Sequence, residues 1–129
     1  NALRLNPNDG ETYFYLGRAY RDQGKSAEAS RAFDRAVVGL LKFTKENADY
    51  SDGFYLLGNA YFADNQPEKA LDAYKRCLDL SPRFTRARYN SGIIQIRLNN
   101  KAAALEQYNA LLPLDAALAN RLKAEIDNM

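Results

Sequence analysis

Between Asp52 and Pro82 an apolar or small residue recurs about once per helical turn. Phe54, Leu57, Gly58 and Tyr61 come first, and Ala70, Tyr74 and Cys77 follow the Asp64-Asn65-Gln66-Pro67 turn. The spacing predicts two amphipathic helices folded back on each other, neither able to bury its face alone. The same pattern lies on both sides: Leu16-Gly17, Tyr20, Ala29 and Phe33 before it, and Gly92, Ala104 and Tyr108 after it. The chain therefore reads as a stack of helix–turn–helix units in which each unit covers its neighbour.

The turn residues check this register independently. Gly24, Asn65 and Asn99 follow one another at intervals of 41 and 34 residues, the same intervals that separate Gly17, Gly58 and Gly92. Gly and Asn best tolerate the left-handed backbone that ends many helices. Pro67 suits the first turn of the following helix, where its missing N–H is not needed. The longer interval leaves seven extra residues, close to two helical turns, so the second helix can lengthen and keep its face in phase. Val37, Val38, Leu40, Leu41 and Phe43 continue the apolar pattern there, and residues 45–50 form the connection. These side chains either pack on neighbouring helices or form a protruding apolar surface that contacts a partner.

The first helix is expected from Glu11 to about Gln23 and the second from about Ser26. Ahead of them, Ala2-Leu3, Leu5 and Pro7 match Cys77-Leu78, Leu80 and Pro82, so residues 1–9 read as the tail of a truncated upstream repeat whose exposed edge could pair with another copy. Residues 10–50 form a first unit, 51–84 a second, 85–114 a degenerate third, and 115–129 a capping helix. In the third unit Pro113 shortens the second helix. Asp115 can then cap a helix bearing Leu118, Leu122 and Ile126, with Arg121 and Lys123 facing out.

The order of a bulky residue, Leu-Gly, Tyr, Ala, an aromatic and a closing Pro resembles the tetratricopeptide repeat, and the chain is similar to a fragment of a bacterial-type member of that family. The central unit matches with Phe54, Leu57-Gly58, Tyr61, Ala70, Tyr74 and Pro82; the first with Tyr13, Leu16-Gly17, Tyr20, Ala29, Phe33 and Ala36. The third departs, with Arg88, Ser91 and Gln95 in the bulky, Leu and Tyr slots. The resemblance implies an all-α α-solenoid of about three repeats plus a C-terminal capping helix. It also implies a concave groove, lined by the first helix of each unit, that receives a peptide or partner helix. Carried onto this register, the groove residues are Glu11, Phe14, Arg18, Arg21 and Asp22, then Tyr55, Asn59 and Phe62, then Arg86, Tyr89, Asn90, Ile93 and Ile96. Stiff aromatic anchors, Arg for carboxylates and Asn for backbone suit a peptide with apolar side chains and some negative charge. The alternative is that Phe14, Tyr55 and Tyr89 merely pack along the wall. The subgroup that clamps a C-terminal carboxylate uses Lys and Asn where this chain has Phe14, Arg18, Leu56, Arg86 and Asn90, so a chaperone-tail binder of that kind is not implied.

Composition narrows the function further. The 129 residues suit one domain, and 47% hydrophobic with 26% charged residues describes a folded chain. There is no His and one Cys, Cys77, which reads as a small buried filler. No phosphate loop, metal-ligand cluster or nucleophile–base pair occurs, so neither an enzyme nor a cofactor is expected. A net charge of +2 argues against nucleic acid, although Arg83, Arg86, Arg88 and Arg97 near several Tyr leave RNA as a minor alternative. No apolar run approaches the roughly 18 residues of a membrane span. The lone cysteine fits a reducing compartment, making the cytoplasm the default, with a periplasmic or envelope-associated site left open. The leading expectation is a protein–protein interaction module, and the alternative a structural or self-associating segment of a larger assembly, including a homodimer through the upstream edge.

Overall fold

The computed structural model describes residues 7–129, with side chains from Gly10 onward. Residues 1–6 of the expected upstream tail lie outside the described residues. Among the described residues the chain forms seven helices and no strand: α1 (Pro7–Asp22), α2 (Ser26–Glu46), α3 (Ser51–Ala63), α4 (Pro67–Leu80), α5 (Thr85–Arg97), α6 (Lys101–Leu111) and α7 (Ala116–Asp127). Two compact units result, one up to Leu80 with α1 to α4, the other Ser81–Met129 with α5 to α7.

Each hairpin is closed by the same backbone device. Gly24 has φ of +77°, and Asn65 and Asn99 each have +61°. One residue further on, the N–H groups of Lys25, Gln66 and Asn100 donate to the carbonyls of Tyr20, Tyr61 and Gln95, at 2.8, 2.9 and 2.8 Å. Each bond reaches back five residues and satisfies a carbonyl that the helix end would otherwise leave unpaired, which is the Schellman arrangement. The sequence register is thus set by backbone hydrogen bonding as well as by packing.

In the first unit α1 pairs with α2, α3 with α4, and α3 also packs on α2. Glycine lets the paired helices close up. A Cβ on Gly58 would sit 2.5 Å from the Tyr74 ring, and one on Gly17 2.6 Å from the Phe33 ring. Both rings, with Ala29, Ala36, Ala70 and Cys77, are buried. Burial pushes the Cys77 thiol up to about 12, aided by the charge of Asp52, as befits a packing residue.

The first hairpin departs from expectation at its open end. α1 starts at Pro7, four residues before Glu11. Its first turn meets the lengthened end of α2: a Cβ on Gly10 would lie 2.5 Å from Leu40 Cγ, and one on Gly39 3.7 Å from the Gly10 backbone. The added turns of α2 therefore have a partner, and Leu40 and Phe43 are buried as packing residues. Of the two alternatives, packing holds for Leu40 and Phe43, while Val38 and Leu41 stay exposed. The Leu slot also behaves unevenly. Leu57 is 4% exposed, yet Leu16 is 41% exposed. Leu57 belongs to a helix packed on the preceding hairpin, whereas no described element lies ahead of α1 to cover Leu16.

In the second unit α7 packs on both α5 and α6. The Asp115 carboxylate accepts from the Leu118 N–H at 3.0 Å and starts the helix. Ala119, Leu122 and Ile126 are fully buried with Ala104 and Leu111. Gly92 faces Leu122 of α7, whose Cδ2 would lie 2.6 Å from an added Cβ, where the earlier glycines face the second helix of their own hairpin. Arg88 fills the bulky slot by turning its head group outward, donating to the Pro82 carbonyl at 2.9 Å and to Gln107 Oε1 at 3.2 Å.

Two outcomes follow from these contacts. Gly24→Ala forces a Cβ into the left-handed region and is expected to cost about 1 kcal/mol, while Asn65→Gly costs nothing or stabilises slightly; urea unfolding of the two variants against wild type measures both. Asp64 carries an acid pushed up to about 6, first by burial and then by its hydrogen bond and charge contact with Asp34 on α2. Because the folded state favours its neutral form, that contribution is present in full below about pH 4 and is lost as pH rises through about 6. Paired thermal melts should show Asp64→Asn flattening the wild-type loss of stability between about pH 4 and about pH 6. Parallel profiles for the two proteins would contradict the assignment.

Candidate peptide-binding surface

Helical spacing places the candidate residues in strips. On α1, Phe14, Arg18 and Arg21 are separated by four and three residues, and so are Tyr55, Asn59 and Phe62 on α3. Each trio therefore shares one helix face. On α5 the same spacing aligns Arg86 with Asn90 and Ile93, and Tyr89 with Ile93 and Ile96.

The α1 strip is a stacked aromatic and cationic cluster. Phe14 is half-buried, its ring centroid 6.0 Å from that of Phe33 and 5.5 Å from that of Tyr15. The Arg18 guanidinium lies 5.8 Å above the Phe14 ring and that of Arg21 lies 5.6 Å above Phe33. Stacking of this kind orients a planar guanidinium and leaves its edge facing outward. Glu11 is half-buried and Asp22 exposed on the same helix.

Tyr74 organises the α3 strip from below. Its hydroxyl donates to Asn59 Oδ1, and its ring centroid lies 6.0 Å from that of Tyr55. The buried tyrosine thus orients both neighbours, which the sequence pattern, assigning Tyr74 to packing alone, does not reveal. Tyr55, Asn59 and Phe62 are all half-buried, so each rests on the core and keeps an outer surface.

The α5 strip is more enclosed. Tyr89, Ile93 and Ile96 are half-buried against the cluster that α7 completes, and the Arg121 guanidinium lies 5.6 Å over the Tyr89 ring. Part of the area that Tyr89 and Ile93 could offer is taken by the chain's own last helix. Asn90 is half-buried and Arg86 exposed. Among the described residues no cluster of His, Cys, Asp and Glu could hold a metal ion, and no helix is long and apolar enough to cross a membrane.

Comparison with known proteins agrees with this architecture. Tetratricopeptide repeat models match residues 51–84 and residues 1–29. A UDP-N-acetylglucosamine–peptide N-acetylglucosaminyltransferase of Giardia intestinalis is 35% identical over 80 residues, 62% of this chain and 5% of that protein. The peroxisomal targeting signal receptor of Candida albicans is 30% identical over 110 residues, 82% of this chain and 17% of the receptor. The chain therefore spans a small part of these two relatives. Among solved structures, the first TPR of Spaghetti (RPAP3) bound to the HSP90 peptide SRMEEVD superposes with a TM-score of 0.69 at 18% identity, covering 98% of this chain and 96% of that one. Repeat register, helical hairpins and these likenesses together place the chain in the tetratricopeptide repeat family.

Proposed function

We propose that the chain is a protein–protein interaction module that takes a peptide or partner helix on the strips of α1 and α3. The observation that carries this reading is the pre-ordering of the α3 strip by Tyr74, which donates to Asn59 and braces Tyr55. Anchors already held by the core lose little freedom on binding. Arg18 and Arg21, stacked on Phe14 and Phe33, supply positive edges for carboxylates. The ligand is thus an apolar segment with acidic residues, at an affinity in the micromolar range, about −8 kcal/mol. The peptide complex of the structural neighbour and the targeting-signal receptor among the relatives are consistent with such a role. Affinity purification from the source organism with wild type and with Arg18→Glu/Tyr55→Ala tests it, far-UV circular dichroism confirming equal helicity. Partners recovered only by wild type are expected; recovery of the same set by both proteins would overturn the proposal.

A second reading, self-association through the edge of α1, draws on one specific feature. Tyr15 and Leu16 are 55% and 41% exposed on a helix whose counterpart, α3, buries Leu57 to 4%. Two copies could cover these side chains mutually. Concentration-dependent dimers seen by light scattering and abolished by Leu16→Glu would support this reading, and a monomer at every concentration would end it.

A further inference from the structure

The two added turns of α2 raise one wall of a cleft. α2 has 21 residues and α4 has 14, and the seven-residue excess covers positions 40 to 46. Every α2 side chain bordering the cleft comes from that excess: Leu41, Lys42, Thr44 and Lys45. α4 supplies the other wall with Lys69, Ala73 and Arg76, and the floor is the apolar face of α3, Phe54, Leu57 and Tyr61. The volume is about 680 Å³, within the range of sites that accept several side chains.

Its chemistry is two-layered. The floor is aromatic and apolar, and Leu41 on the rim is 44% exposed. Four cations, Lys42, Lys45, Lys69 and Arg76, stand around it against the single carboxylate of Asp72, a local excess of three positive charges in a chain whose total is +2. Among the described residues none of the four is in a salt bridge. Arg76 lies 5.0 Å over the Phe54 ring and Lys69 5.9 Å over that of Tyr61, so both cations are drawn across the floor. Lys69 and Arg76 stand about 10 Å apart along α4, the reach of three extended residues or two helical turns.

We infer that this cleft is a docking site for a short acidic segment of a partner protein, which inserts an apolar side chain between α2 and α4 and sets its carboxylates against Lys42, Lys45, Lys69 and Arg76. The apolar floor excludes water from the anchor, and the unpaired rim cations select carboxylates and steer the approach. The site is separate from the strip of Tyr55, Asn59 and Phe62, which lies more than a quarter-turn around α3 from Phe54, Leu57 and Tyr61. Occupation of one does not require the other.

The test is selection of a random twelve-residue displayed peptide library on the whole chain, each enriched peptide then being synthesised and titrated against wild type, Lys42→Glu/Lys45→Glu/Arg76→Glu, and Leu41→Ser. All four substituted positions are exposed, and thermal melts confirm folding. Peptides combining Asp or Glu with a large apolar residue are expected, losing affinity about tenfold or more in the charge-reversed variant, less in Leu41→Ser, and weakening with added salt. They should bind Arg18→Glu/Tyr55→Ala as wild type does, so that failure here is distinguishable from failure of the α1 and α3 strips. The inference is overturned if no peptide distinguishes wild type from the charge-reversed variant, if cleft-dependent peptides carry no carboxylates, or if dodecanoate occupies the cleft while no peptide does.

Discussion

The ring of Tyr74 occupies the space that any side chain on residue 58 would need. That contact brings α3 and α4 to glycine distance and buries the tyrosine completely. It also settles the polar end of the ring, because a buried hydroxyl demands a partner and Asn59, one position along from Gly58, provides it. The same side chain is therefore both core and support for the α3 strip. In the first hairpin Phe33 plays the packing part against Gly17 without a hydroxyl, and its ring is covered by Phe14 and Arg21 instead.

Where the repeat is broken, the chain compensates by packing. Lengthening α2 by two turns would leave Leu40 bare if α1 began where the repeat alone would start it, whereas Phe43 is met by Tyr50 and Gly53. α1 instead begins a turn earlier, and the glycines at 10 and 39 let the extended ends meet. One side of the extension is thereby spent on the core, and the other, Leu41, Lys42 and Lys45, stands over α3 as the wall of a cleft. A regular unit of 34 residues has no turns to build that wall.

The second unit solves a different problem. Ser91 and Gln95 replace two of the large repeat residues, and Pro113 ends the following helix early. α7 restores the lost apolar volume by inserting Leu122 opposite Gly92 and closing Ala104 and Leu111 beneath Ile126. The restoration has a consequence for recognition, because Tyr89 and Ile93 are drawn into the same cluster.

Periodicity alone determined that the chain is helical, where its hairpins turn and which residues pack in the central unit, because a helix face and a left-handed turn are local requirements written in neighbouring residues. Gly24, Asn65 and Asn99 were legible for that reason, as were the cap at Asp115 and the burial of Cys77. The strips on α1, α3 and α5 were legible as positions only. How much of each side chain remains for a ligand depends on what other helices place against it: Tyr74 beside Asn59, Arg121 over Tyr89, and too little beside Leu16 to bury it. The early start of α1 and the cleft between α2 and α4 were decided by the tertiary structure, since each requires side chains from elements separated in sequence to meet, and no local pattern records that meeting.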